Sequence, residues 1–258
     1  MNVDKNHSEK PKRNGSGPVA SVRDLHKSFG SNTVLKGMSL DLYEGENLVI
    51  LGRSGTGKSV LIKCMVRLLQ PDSGSINILG LDVLNLDADE LNELRRKLGF
   101  SFQGSALYDS MTVRHNLEFP LKRNLGIYDQ HELDERVMDA LEEVGLAHTV
   151  DLLPVELSGG MMKRVGIART LILRPQIILY DEPTAGLDPI TAMEINDLIL
   201  QVREKYNTSS IIITHDISSA RHTSDRIIAM VKGNAKLEGA FDELKHTHDP
   251  DLEPFFNY

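Results

Sequence analysis

Apolar positions follow two rhythms along this chain. Residues 19–25 and 38–43 alternate roughly between apolar and polar, the period of a strand with one buried face. Asn47-Leu48-Val49-Ile50-Leu51 is a compact apolar run that stops at glycine, the pattern of a parallel strand buried on both faces. Val60, Leu61, Met65, Leu68 and Leu69 then keep helical spacing across residues 58–69. Strand, glycine-rich loop and helix make a first α/β unit. Further strands are predicted over 75–79, 99–102, 177–180, 210–214 and 226–231, with helices between most of them. The stretch from about 105 to 174 carries helical patterns and no strand, which predicts a helical insertion. After Lys236 a small strand and one helix, near 241–245, close the pattern. Residues 1–18 are polar and end in Asn14-Gly15-Ser16-Gly17-Pro18, a flexible leader. One domain is expected over 19–246 and a tail over 247–258.

The candidate chemistry collects at predicted strand ends. Gly52-Arg53-Ser54-Gly55-Thr56-Gly57-Lys58-Ser59 fits G-x-x-x-x-G-K-[ST] and lies between a strand and a helix. Glycines let a backbone wrap a phosphate without Cβ clashes. Successive N–H groups and the helix N-terminus then face the anion. Lys58 would reach the terminal phosphates and the Ser59 hydroxyl would ligate Mg²⁺. Ile177-Ile178-Leu179-Tyr180-Asp181-Glu182 is an apolar strand ending in two acids. Neighbours on a strand point to opposite faces, but where the chain turns at its end both can face one site. Asp181 would hold Mg²⁺, directly or through water. Glu182 would orient and deprotonate an attacking water. These residues predict a P-loop NTPase, a class that includes kinases, helicases and GTPases.

Leu157-Ser158-Gly159-Gly160-Met161, at the head of a helical pattern and shortly before Asp181, resembles the L-S-G-G-Q signature of the ATP-binding cassette (ABC) family. A Ser-Gly-Gly turn at a helix N-terminus is itself suited to an anion. Other matches follow in the family's order. Phe29 matches the aromatic that stacks on adenine. Gln103 matches the glutamine that touches Mg²⁺ and the water and senses the membrane partner. Ala185-Gly186-Leu187-Asp188 matches the loop that crosses between subunits, and His215 the histidine that holds the γ-phosphate. Two departures stand out: Met161 replaces the usual glutamine, and Ala185 and Gly186 replace the usual Ser-Ala. The resemblance covers nearly all of the chain after residue 19. It implies an α/β fold with a P-loop NTPase (RecA-like) core, an N-terminal antiparallel β region and an inserted helical subdomain. It also implies an ATPase with ATP and Mg²⁺ at its site. Ser158, Gly159, Gly160 and Met161 would close over ATP held by a second subunit. All the motifs are present, so a homodimer is the economical expectation, with a heterodimer left open. The further partner is an integral-membrane permease.

Composition narrows the setting. Of 258 residues, 29 are Lys or Arg and 37 are Asp or Glu, a net charge of -8 that argues against broad binding of nucleic acid. Cys64 is the single cysteine, so no disulfide can form within the chain and a reducing compartment is expected. It falls in an apolar run and is expected in the core. No apolar stretch approaches a membrane span, and the first residues hold no apolar run, so no secretory signal is expected. A cytoplasmic protein, held at the inner membrane only through its permease, is expected. About 55 residues separate Gln103 from Ser158, far fewer than in DNA-repair members with long coiled coils, and one phosphate loop differs from the two cassettes usual in ribosome-associated members. Gly104-Ser105-Ala106-Leu107, then Phe119-Pro120-Leu121, together with Met161, resemble the Mla/MCE-associated ATPases, which power lipid movement between membranes. That resemblance implies an MCE-domain lipid-binding protein as a further partner. The alternatives are an importer ATPase for a small polar solute, and a docking surface generic to any permease.

Overall fold

A computed structural model describes residues 17–247 and 249–256. The predicted leader thus lies, apart from Gly17 and Pro18, outside the described residues. The chain begins with β1 (Ala20–Phe29) and β2 (Asn32–Leu42), an antiparallel pair, followed by β3 (Asn47–Leu51) and α1 (Lys58–Met65). Next come β4 (Ser73–Ile78), β5 (Leu81–Asp82), α2 (Ala88–Arg96) and β6 (Leu98–Ser101). The helical stretch holds α3 (Val113–Pro120), α4 (Gln130–Glu143) and α5 (Gly159–Leu171). Then β7 (Ile177–Asp181), α6 (Pro189–Tyr206), β8 (Ser209–Thr214), α7 (Ile217–Thr223), β9 (Arg226–Val231) and β10 (Asn234–Gly239) complete the body, and α8 (Phe241–Leu244) and α9 (Glu253–Phe256) follow.

Two sheets result. One is antiparallel, in the order β2-β1-β4-β5; the other has the order β10-β9-β3-β8-β7-β6 and is parallel except at β10. All five residues of β3 are buried. Leu48 and Ile50 join an apolar cluster with Val22 and Ile76 of the antiparallel sheet and Leu61 of α1. Val49 and Leu51 join a second cluster with Leu117, Val137 and Val165 of the helical stretch. The parallel sheet is therefore covered on both faces, which is why its strands are apolar throughout instead of alternating.

The parallel direction fixes the site. β3 pairs with β8 at Leu51 and Thr214, and β7 pairs with β8 at Asp181 and Ile213. The carboxyl ends of these strands share one edge, the edge where open α/β sheets bind ligands.

Boundaries shifted where the backbone departs from a regular period. β1 runs to Phe29, beyond the expected 25, across a register break between Val22 and Leu25 in which Asp24 has φ 45. The break interrupts alternation, as bulges do. α1 stops at Met65, short of the expected 69, because Arg67 takes φ 52 and turns the chain out; Leu68 is left exposed. Cys64 is fully buried in α1, and burial pushes its thiol up to about 11. Beyond the strand and helix expected after Lys236, α9 follows, and its Phe255, with Leu252, is buried in the larger cluster.

Candidate nucleotide site

A cleft of ≈ 520 Å³ opens at the shared strand edge, lined by Phe29, Val34, Ser54, Gly55, Gly57, Lys58, Ser59, Val60, Gln103, Glu182 and His215. The loop from Gly52 to Gly57 joins β3 to α1. Gly57 stands before the helix at φ 104, and a Cβ there would lie 2.9 Å from Val34 Cγ1. Only glycine suits that backbone and that approach. No side chain caps α1, so the first N–H groups of a well-packed helix are left to face an anion. Lys58 Nζ donates to the carbonyls of Gly52 (2.6 Å) and Arg53 (3.1 Å), folding back over the loop. Thr56 Oγ1 donates to the Arg53 carbonyl at 2.9 Å. The Arg53 side chain turns out of the cleft, with its guanidinium 5.7 Å from the centroid of the Phe255 ring.

The two acids do face one site. Asp181 ends β7, and Glu182 takes φ 50, a left-handed turn that brings its side chain round to the same edge. Ser59 Oγ donates to Asp181 Oδ1 at 2.8 Å. Glu182 Oε1 lies 3.3 Å from Lys58 Nζ, and its Oε2 2.9 Å from His215 Nδ1. Burial raises the Asp181 pKa above the usual carboxylate range, more than the Ser59 hydrogen bond lowers it. Burial likewise lowers Lys58, against the pull of Glu182. Two charged groups held out of water beside a cleft are what a site for a charged ligand requires.

Phe29 stands half-exposed on the cleft wall, with Lys27 Nζ 5.4 Å from its ring centroid. Gln103 also lines the cleft, and its carbonyl accepts a hydrogen bond from Lys163 Nζ. That same ammonium lies 3.5 Å from the Glu182 carbonyl. No motif of the sequence points to Lys163. Its signal was a pair of cations, Lys163 and Arg164, in the first half of α5, where the helix dipole disfavours positive charge. Nor does any motif point to Val34 or Val60, because nothing in a strand pattern says which apolar residue will wall a cleft.

The signature stands apart from this cleft. Ser158 caps α5 by accepting from Met161 N at 3.2 Å. Ser158 and Gly159 are exposed, and neither they nor Gly160 or Met161 line the cleft. Asp188 caps α6, accepting from the backbone of Ile190 and Thr191 at 3.0 Å each. The structure thus gathers Phe29, the loop, Gln103, Asp181, Glu182 and His215, and leaves the signature and Asp188 on a separate surface.

The donor set suits Mg²⁺. Among the described residues no three His, Cys, Asp or Glu side chains gather as a metal cluster. A hydroxyl and a carboxylate already in contact, with an amide nearby, are hard oxygen donors of the kind Mg²⁺ takes beside nucleotide phosphates.

Residues 35–185 match the family model described as ABC transporter. Over 241 residues the chain is 39% identical to the "Probable ribonucleotide transport ATP-binding protein mkl" of Mycobacterium leprae (strain TN), covering 93% of this chain and 69% of that protein. Over 224 residues it is 39% identical to the methionine import ATP-binding protein MetN of Brucella abortus (strain 2308), covering 87% of this chain and 60% of that protein. Among solved structures it is similar to the ATP-binding cassette MJ0796, a dimer in a post-hydrolysis state bound to ADP and Pi. The TM-score is 0.79 at 34% identity, over 86% of this chain and 98% of that one. It is also similar to cbiO1 of Clostridium perfringens, part of the ABC transporter complex cbiONQ, with TM-score 0.80 at 30% identity, over 88% of this chain and 90% of that one. With the phosphate loop, paired acids and signature in the family's order, the chain belongs to the ABC transporter family and is its ATP-binding, ATP-hydrolysing domain.

Proposed function

We propose that two copies of this chain enclose ATP between them, and that its hydrolysis drives a membrane permease that moves phospholipid together with an MCE-domain protein. The observation that carries the dimer is the separation just described. A complete phosphate cleft and an exposed Ser158 lie on one chain without meeting, so each can complete the other in a head-to-tail pair. The dimeric state of the related cassette MJ0796 supports this.

In such a pair Lys58 and the loop amides hold the β- and γ-phosphates, and Phe29 stacks on the adenine. Ser158 and the Gly159–Gly160 amides of the other copy cover the γ-phosphate. Glu182 takes a proton from the attacking water as it closes on phosphorus, and His215 holds the γ-phosphate in line. Ser59, Asp181 and Gln103 would hold Mg²⁺, which neutralises charge on the phosphate oxygens. Once the γ-phosphate leaves, the contacts from Ser158 lose their anion and the pair opens.

The permease would seat beside Gln103. A second cleft is lined there by Phe102, Ser105, Ala106, Pro120, Arg169 and Leu173, among others. Nearby, Tyr108 meets Phe119 edge-on, centroids 5.2 Å apart, and both rings are exposed. Seating a permease helix there would hold the chain at the cytoplasmic face of the inner membrane. Among the described residues no helix is itself long and apolar enough to cross one.

The lipid reading rests on the 104–121 segment and on Met161. MetN, named for methionine import, favours a second reading, the import of a small polar solute. The purified complex with its permease, supplied with labelled phospholipid, separates them. The lipid reading expects phospholipid to be carried and to shift with ATP. A complex that retains no lipid and imports a polar solute contradicts that reading and leaves the ATPase standing.

A further inference from the structure

The closing segment of the chain meets the phosphate loop, and the contact falls on the residue that organises the loop. The Arg53 carbonyl accepts hydrogen bonds from Thr56 N (3.4 Å), Thr56 Oγ1 (2.9 Å) and Lys58 Nζ (3.1 Å). Where Arg53 sits therefore decides where Thr56 and Lys58 sit. Its side chain leaves the cleft and lies over the ring of Phe255 in α9. Phe255 is 9% exposed and Leu252 1% exposed, both within the larger apolar cluster. The segment is also pinned by charge. Lys236 of β10 lies 3.3 Å from Asp249 and 3.6 Å from Asp251, and Lys232 lies 3.6 Å from Asp251. Residues 234–247 and 249–256 thus form a hook, anchored on the sheet edge, that presents an aromatic face to the loop.

We propose that Phe255 is a positioning residue for ATP binding: through its ring it fixes Arg53, and through the Arg53 carbonyl it fixes the loop that holds the phosphates. A guanidinium over an aromatic face is held electrostatically; here the ring is buried and Arg53 itself is exposed, so the contact is a modest one. The cost of ordering the loop is then met before nucleotide arrives, which tightens binding without touching the chemical step. The hook is expected to act on affinity, because the group its ring meets is the Arg53 guanidinium, outside the cleft. The inference rests on the reading of residues 52–59 as the phosphate site.

The test uses the full chain, with equilibrium binding of a fluorescent ATP analogue and steady-state hydrolysis measured side by side. Phe255→Leu keeps an apolar side chain and removes the ring. It is expected to weaken nucleotide binding about two- to five-fold and to raise KM to match, with kcat within about two-fold. Phe255→Tyr keeps the ring and restores affinity. Arg53→Ala weakens binding alone, but adds nothing in the Phe255→Leu background, since both remove one contact. Lys58→Ala is the control for the site itself. If Lys58→Ala leaves binding intact, the phosphate-loop reading fails. If it abolishes binding while Phe255→Leu changes nothing, or Phe255→Tyr fails to restore affinity, or the Arg53 and Phe255 losses add, the hook is ordinary packing and the inference is overturned.

Discussion

Asp181 and Lys58 are charged groups that the fold holds where charge is costly. Asp181 is 4% exposed and Lys58 5%. For Asp181 the folded pKa is raised by burial. An acid raised on folding binds its proton more tightly in the native state, so its ionisation opposes folding. That penalty is absent below the ordinary value of 3.8, grows as the pH rises, and is complete above the folded pKa. Lys58 is lowered, so its penalty is complete below the folded pKa and fades as the pH approaches 10.5. Asp181→Asn should therefore stabilise the nucleotide-free chain by about 0.5–2 kcal/mol at neutral pH, a rise of a few degrees in Tm, while hydrolysis collapses. Thermal melts across pH check this: the gain should vanish below about pH 3.8. A variant that is destabilised at neutral pH would show that Asp181 serves the fold first. The identities of these residues were legible in the sequence, because the motif supplies the chemistry. Their pairing was not: that Glu182 bridges Lys58 and His215 depends on a left-handed turn at Glu182, and a motif does not carry a dihedral angle.

At the scale of elements, what the sequence shows well is whatever burial imposes on composition. β3 and β9 occupy the predicted residues because both faces of those strands are covered. α1 and β1 were misjudged at their ends, where Arg67 and Asp24 take positive φ; side-chain periodicity carries no sign of that. The seating of one helix on another is equally silent. α5 begins at the signature and lies so close to α6 that a Cβ on Gly160 would come within 2.5 Å of Thr191 Cγ2. The glycine thus has a second duty, setting the angle at which the signature is presented. Gly160→Ala should cost about 1–3 kcal/mol by overpacking, read from urea unfolding. Thr191→Ser removes the opposing methyl while leaving a hydroxyl like the one that donates to Asp188 at 2.6 Å. The double variant should recover most of the loss. An equal loss in the double variant would place the damage elsewhere than in the contact between α5 and α6.

At the scale of the whole molecule, the carboxyl edge of the larger sheet holds the cleft and the signature lies on another surface of the same chain; on the proposed reading, the second completes the first in another copy. Order along the sequence announced both halves, since the phosphate loop, the signature and the acids follow one another as in the family. That they do not meet within one chain appears only in three dimensions. The dimer can therefore be tested without the permease. With Glu182→Gln, hydrolysis should fall by about 10² to 10⁴, so that ATP persists long enough for the pair to accumulate. Light scattering on that variant should show the mass of two chains with ATP and of one chain without it. Adding Ser158→Arg in the same background should return the mass to one chain while each chain still binds ATP in its own cleft. A pair that forms unchanged with Ser158→Arg, or a single chain that loses ATP with it, would contradict the account that Ser158 completes the site of a second copy.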